Sequence, residues 1–150
     1  MNQNHCMMKN EIKIYILDDN EYFGTMLEGK LSGKNRIVKS FQSEIEFIRR
    51  LKDAPDIIIL DHKLEHCTGL QVLQVIKRKF DTVPNVIYLS AQEHLNITLK
   101  ALKNGAVEYI EKGLAPVEYI ETVIAKITKH TSDFKTPLDI TSYRSDSSIY

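Results

Sequence analysis

Apolar and polar positions along this chain follow two alternating periods. Ile12–Leu17 (IKIYIL) is short, apolar and rich in β-branched residues, which predicts a strand. Phe23, Met26, Leu27 and Leu31 then recur at near-helical spacing, with Gly33 as the expected stop. Arg36–Phe41 (RIVKSF) predicts a second strand. Ser43, with Glu46 three residues on, predicts a capping box and a helix whose apolar face is Ile45, Ile48 and Leu51. Asp56–Asp61 (DIIILD) is the clearest strand, because four consecutive apolar residues suit a parallel strand covered on both faces. Leu70, Leu73, Ile76 and Phe80 predict a third helix. Asn85–Ser90 (NVIYLS) follows as a fourth strand, and His94–Asn104 as a fourth helix closed by Gly105. Val107–Lys112 predicts a fifth strand. Val117, Ile120, Val123, Ile124 and Ile127 line a fifth helix, with Pro116 near its first turn.

Five β-α units with short connections predict an α/β fold: a parallel sheet with helices on both faces, joined by right-handed crossovers. The periodicity stops near Thr131. The domain reading is therefore a flexible N-terminal tail at 1–10, one folded domain at 11–130, and a flexible tail at 131–150 rich in Ser, Thr and Asp.

Composition refines this only slightly. Of 150 residues, 43% are apolar and 27% charged, as in an ordinary globular domain. Twenty basic residues balance twenty acidic ones, which argues against a dedicated nucleic-acid surface, though not against action on DNA through a partner. The first residues lack a signal peptide's apolar stretch, and no run is long enough to span a bilayer. Cys6 and Cys67 are too scattered for a disulfide framework. A cytoplasmic protein without membrane contact is expected.

In an open α/β sheet, ligands bind beyond the carboxyl ends of the strands. At those ends this sequence places Asp18, Asp19, Asp61, Ser90 and Lys112. Three crowded carboxylates raise one another's pKa. A hard cation such as Mg2+ relieves that conflict through oxygen ligands. With the Lys112 ammonium and the Ser90 hydroxyl beside it, such a site could hold a phosphoryl group, and one carboxylate could act as nucleophile to form an acyl phosphate. Each residue also has an ordinary reading. Asp18 and Asp19 could cap the first helix, Asp61 could be a turn residue, and Ser90 and Lys112 could be strand-end side chains. Their joint occurrence favours the chemistry. His62, His66 and Cys67 share the loop after Asp61, but their spacing fits no standard structural zinc pattern and they are read as solvated. His5 and Cys6 fall in the N-terminal tail.

Taken together, ILDD at 16–19, ILD at 59–61 with Gly69 eight residues later, LSA at 89–91 and GAVEYIEK at 105–112 resemble the bacterial response regulator receiver family, from about Glu11 to His130. The resemblance implies a flavodoxin-like, doubly wound five-stranded sheet of order 2-1-3-4-5 with five helices. It implies Asp61 as phosphoacceptor. Asp18, Asp19, Asp61 and the backbone carbonyl of Lys63 would hold Mg2+, with Mn2+ as a substitute. Ser90 would bond a phosphoryl oxygen and Lys112 would pair with its charge. Ser90 and Tyr109 would form the switch, and Lys63 and Gln92 would flank the phosphate and tune its lifetime. The implied donor is a sensor histidine kinase or phosphotransfer protein. The implied output is a contact with an unidentified protein through the fourth helix, fifth strand and fifth helix, the face on which a homodimer would also form. On this reading the chain is a signalling component rather than an enzyme, catalysing only its own phosphorylation and dephosphorylation.

Departures from the family pattern are Leu64-Glu65, where Met-Pro is frequent, and Gly113, where proline usually follows the lysine and forms a cis bond. Three other readings stand beside the switch. One is a phosphate-independent interaction module on the same fold, and another is a receiver fragment lacking its effector domain. The third, an aspartate-based phosphatase, is disfavoured because Asn20 stands two residues after Asp18, where an acid is needed.

Overall fold

The computed structural model describes residues 11–33, 35–91, 94–113 and 117–132; Gln92, Pro116 and the tails at 1–10 and 133–150 lie outside the described residues. The elements in chain order are β1 (Ile12–Leu17), α1 (Glu21–Leu31), β2 (Arg36–Phe41), α2 (Glu44–Arg50), a short 3-10 turn (Leu51–Asp53), β3 (Ile57–Asp61), α3 (Gly69–Lys79), β4 (Asn85–Ser90), α4 (Leu95–Lys103), β5 (Ala106–Glu111) and α5 (Val117–Ser132). The strands form one parallel sheet in the order β2-β1-β3-β4-β5, the flavodoxin-like order.

Strand side chains alternate between faces, so each central strand feeds two cores. Tyr15, Leu17, Ile58, Leu60, Val86 and Tyr88 face α2, α3 and α4, where Phe47, Leu73, Ile76 and Ala101 meet them. Ile14, Ile16, Ile57, Ile59, Ile87 and Leu89 face α1 and α5, where Leu27, Leu31, Ile120 and Ile124 close the other side. The parallel register keeps like with like, pairing Tyr15 with Ile58, Ile58 with Val86, and Leu60 with Tyr88. Burial on both faces explains why β3 carries no polar residue before Asp61.

Several boundaries differ from the sequence reading. Gly33 is not the stop of α1. The helix ends at Leu31 because Ser32 turns to an extended conformation and bonds back to Glu28 through both its backbone N–H and its hydroxyl. Asn20, rather than Asp18 or Asp19, caps α1, its side chain accepting from Phe23 N. Ser43 caps α2 by accepting from Glu46 N, whereas the complete reciprocal box forms at Thr68 and Gln71 on α3. The inner face of α2 is Glu44 and Phe47 instead of Ile45, which is half exposed, because the helix is only two turns long and Phe47 faces Phe41. β5 starts one residue early and ends at Glu111, so Lys112 follows the strand. α5 continues past His130 to Ser132. Gly105 closes the α4–β5 turn with φ +100°, a conformation that favours glycine.

Candidate functional site

The strand ladders continue one residue past their carboxyl ends. Asp18 N donates to Phe41 O (3.1 Å), His62 N to Leu89 O (2.8 Å) and Lys112 N to Ser90 O (2.7 Å). Neighbouring strands thus fix the backbone where the candidate side chains emerge. Asp18, Asp61 and Ser90 are buried, Asp19 is exposed, and Lys112 is largely covered.

Lys112 Nζ lies 2.6 Å from Asp18 Oδ2 and 3.3 Å from Asp61 Oδ1, so one ammonium bridges two buried carboxylates. The Phe23 ring lies 4.4 Å from the same nitrogen and covers another side of it. Asp18 Oδ1 accepts from Asn20 N at 2.9 Å, which joins the site to the start of α1. Compensation is incomplete. Burial, and then the Asp18 charge, push the Asp61 carboxyl up to about 6 against the opposing pull of Lys112.

Asp18, Asp19 and Asp61 each bring a carboxylate oxygen within 4.8 Å of the others, the spacing a single cation spans. Asp18 Oδ2 is buried and, apart from its ion pair with Lys112, has no hydrogen-bond partner. A further oxygen comes from the loop after β3. Lys63 and Thr68 form an antiparallel bridge whose two bonds run from Leu64 N to Cys67 O and from Gly69 N to His62 O. Those bonds use neither the N–H nor the carbonyl of Lys63. Crowded carboxylates and a carbonyl that neither bridge bond uses are a donor set suited to a hard divalent ion such as Mg2+.

Gly69 opens α3 directly beneath the site. A Cβ there would collide with the Asp61 carbonyl oxygen and the Tyr88 hydroxyl, so only glycine permits this approach. Tyr88 is fully buried, and its hydroxyl lies 2.6 Å from His62 Nδ1. Tyr109 is half buried and stacks on Tyr88, with centroids 6.0 Å apart and planes 17° apart. Lys63 is exposed, and Gln92 lies outside the described residues. His62 turns to Tyr88, while His66 and Cys67 turn to Glu44, so the three loop residues do not converge on one point. No cis peptide occurs among the described residues, and Gly113 follows Lys112 in a turn.

Sequence reasoning singled out the charged set but missed Phe23 and Asn20 as its neighbours. Phe23 read as an apolar helix position, and only the fold carries Lys112 to its ring. Asn20 could have been found, since asparagine immediately before a helical run is a strong cap signal.

Comparison with known proteins agrees with the fold. The family model of the response regulator receiver domain matches residues 14–124. Curated relatives include the DNA-binding transcriptional regulator NtrC of Proteus hauseri, 25% identical over 83% of this chain and 26% of its own length. Another is the protein-glutamate methylesterase/protein-glutamine glutaminase of Pyrococcus horikoshii, 27% identical over 81% of this chain and 35% of its own. The chain thus spans about a quarter to a third of these relatives, and their DNA-binding and methylesterase names describe the longer proteins. Among solved structures, a CheY-like response regulator receiver domain protein from Methanospirillum hungatei superposes with a TM-score of 0.71 at 19% identity, covering 82% of this chain and 98% of its own.

Proposed function

Because the chain belongs to the response regulator receiver family of two-component systems, we propose that it accepts a phosphoryl group on Asp61 from a sensor histidine kinase or phosphotransfer protein and relays the change to a protein partner. The observation that carries this reading is the single ammonium of Lys112 held between Asp18 and Asp61 at the carboxyl edge of the sheet. An Asp61 carboxylate oxygen attacks phosphorus, the O–P bond forms as the donor's P–N bond breaks, and the imidazole leaves with the electron pair and takes up a proton from solvent. Lys112 exchanges its contact with Asp61 Oδ1 for a phosphoryl oxygen, and the Ser90 hydroxyl donates to another. Asp18, Asp19, Asp61 and the Lys63 carbonyl would hold Mg2+, or Mn2+ in its place, which would supply positive charge at the phosphoryl oxygens.

Ser90 and Tyr109 then carry the change outward along β4 and β5, while Lys63 and Gln92 flank the phosphoryl group and set its lifetime. The output face is α4, β5 and α5. Leu95, Leu99 and Leu102 form an exposed apolar stripe on α4 at helical spacing, opposite the side that buries Ala101. On this reading residues 11–130 form a cytoplasmic receiver that acts through protein contacts, without binding nucleic acid itself. Among the described residues no helix is long and apolar enough to cross a membrane.

The test is incubation with acetyl phosphate and Mg2+, followed by intact mass. Expected is labile phosphate that is lost with chelator and in Asp61→Asn. No incorporation, together with no binding of beryllofluoride, overturns the reading.

A further inference from the structure

Glu44 is a buried carboxylate that the phosphoryl chemistry does not use. It is the first residue of α2 and only 7% exposed. Its side chain reaches the 62–68 loop between β3 and α3. Oε1 accepts from His66 N at 2.9 Å and lies 3.9 Å from Cys67 Sγ, while Oε2 lies 3.5 Å from His66 Nδ1. Burial alone would raise its pKa, but the backbone N–H groups of His66 and of Glu44 itself, with the His66 ring after them, outweigh that and hold the carboxyl below its ordinary range.

The loop that Glu44 grips also carries Lys63. Leu64-Glu65 stand where Met-Pro is frequent in the family, and no proline stiffens the 62–68 segment. Its backbone is closed at the base by the Lys63–Thr68 bridge, which leaves the Lys63 carbonyl unspent. Its tip, at His66 and Cys67, is tied to α2 through Glu44.

We propose that Glu44 is a positioning residue for the metal site: its carboxylate holds the His66 backbone, and so keeps the loop in the shape that presents the Lys63 carbonyl as a ligand. This rests on the receiver reading above. Glu44 touches neither the ion nor the phosphoryl group, and acts through three residues of loop. Partners that hold a metal ligand from behind contribute roughly 10- to 100-fold in affinity, and an indirect one belongs at the low end of that range.

The experiment measures Mg2+ affinity by titration calorimetry for wild type, Glu44→Ala, Glu44→Gln and Glu44→Asp. Amide hydrogen exchange across 62–68 is followed in parallel in chelator. Glu44→Ala is expected to weaken Mg2+ about tenfold and to speed exchange at His66 and Leu64. Glu44→Gln recovers most of the affinity, because its amide oxygen accepts the same bond. Glu44→Asp keeps the charge but withdraws it by one methylene, so it weakens Mg2+ as well and serves if the alanine variant does not fold. A purely structural role lowers the melting temperature yet leaves the Mg2+ affinity of the folded variants at the wild-type value; that result overturns the proposal. A wild-type chain that binds no Mg2+ overturns the metal reading itself, and is seen before any variant is compared.

Discussion

Asp61 shows how far a single residue is held from its preferred state. Its carboxyl is pushed from 3.8 up to about 6 by burial and by Asp18, with Lys112 compensating only in part. Between those values the native state binds more protons than the unfolded chain, so stability falls as pH rises through the window. The full gap corresponds to about 3 kcal/mol. In chelator, the urea-unfolding free energy is therefore expected to drop by about 3 kcal/mol between pH 4 and pH 7 from this group. Asp61→Asn flattens that dependence and is the more stable protein at pH 7, and Mg2+ stabilises wild type at pH 7 more than the variant. A wild-type profile no steeper than that of Asp61→Asn removes the argument that the carboxylates are under-compensated. Phe23→Leu tests the other side of the cage. Losing the ring over Lys112 should cost about 0.5–1 kcal/mol at a partly exposed site, measured by the same unfolding.

For elements, the decisive features are the ends rather than the middles. α3 begins with a complete capping box, Thr68 accepting from Gln71 N and the Gln71 side chain accepting from Thr68 N. Thr68→Ala should cost about 1 kcal/mol in equilibrium unfolding. One residue further, Gly69→Ala forces a methyl against the Asp61 carbonyl and the Tyr88 hydroxyl. The backbone has to shift, and a loss of about 1–3 kcal/mol follows. Because the displaced atom belongs to Asp61, phosphate uptake from acetyl phosphate should fall in Gly69→Ala while Thr68→Ala retains it. Equal uptake in the two variants would separate α3 from the site.

Seen whole, the molecule has its acidic cluster and Lys112 at one edge of the sheet and an exposed apolar stripe on α4 at the flank. On the proposed function, a phosphoryl group at the edge would act on that flank through β4 and β5, where Tyr109 stacks on Tyr88 and the Tyr88 hydroxyl meets His62, next to Asp61. Sedimentation of beryllofluoride-treated protein should show self-association through this face, and Leu99→Asp should abolish it while leaving phosphate uptake unchanged. Unaltered sedimentation of the treated wild type would rule out self-association through the stripe.

The residues by themselves determined the alternation of five strands and helices, because the sheet's two-sided burial is written as continuous apolar runs at 57–60 and 86–89 and the helices as periodic ones. They also determined which side chains stand at the strand ends: a polar residue that closes the apolar run of a parallel strand must emerge at the carboxyl edge. Helix ends were less legible. Ser32 and Asn20 stop and start α1 through local hydrogen bonds that compete with neighbours of similar propensity. Only the tertiary structure decided that Lys112 reaches Asp18 rather than solvent, that Phe23 covers it, and that Glu44 on α2 grips the loop at His66. Those pairs are separated by 94, 89 and 22 positions in the chain, and no local pattern encodes them. Packing two helical layers on one twisted sheet brings them together, and burial then makes their charges interact strongly enough to matter.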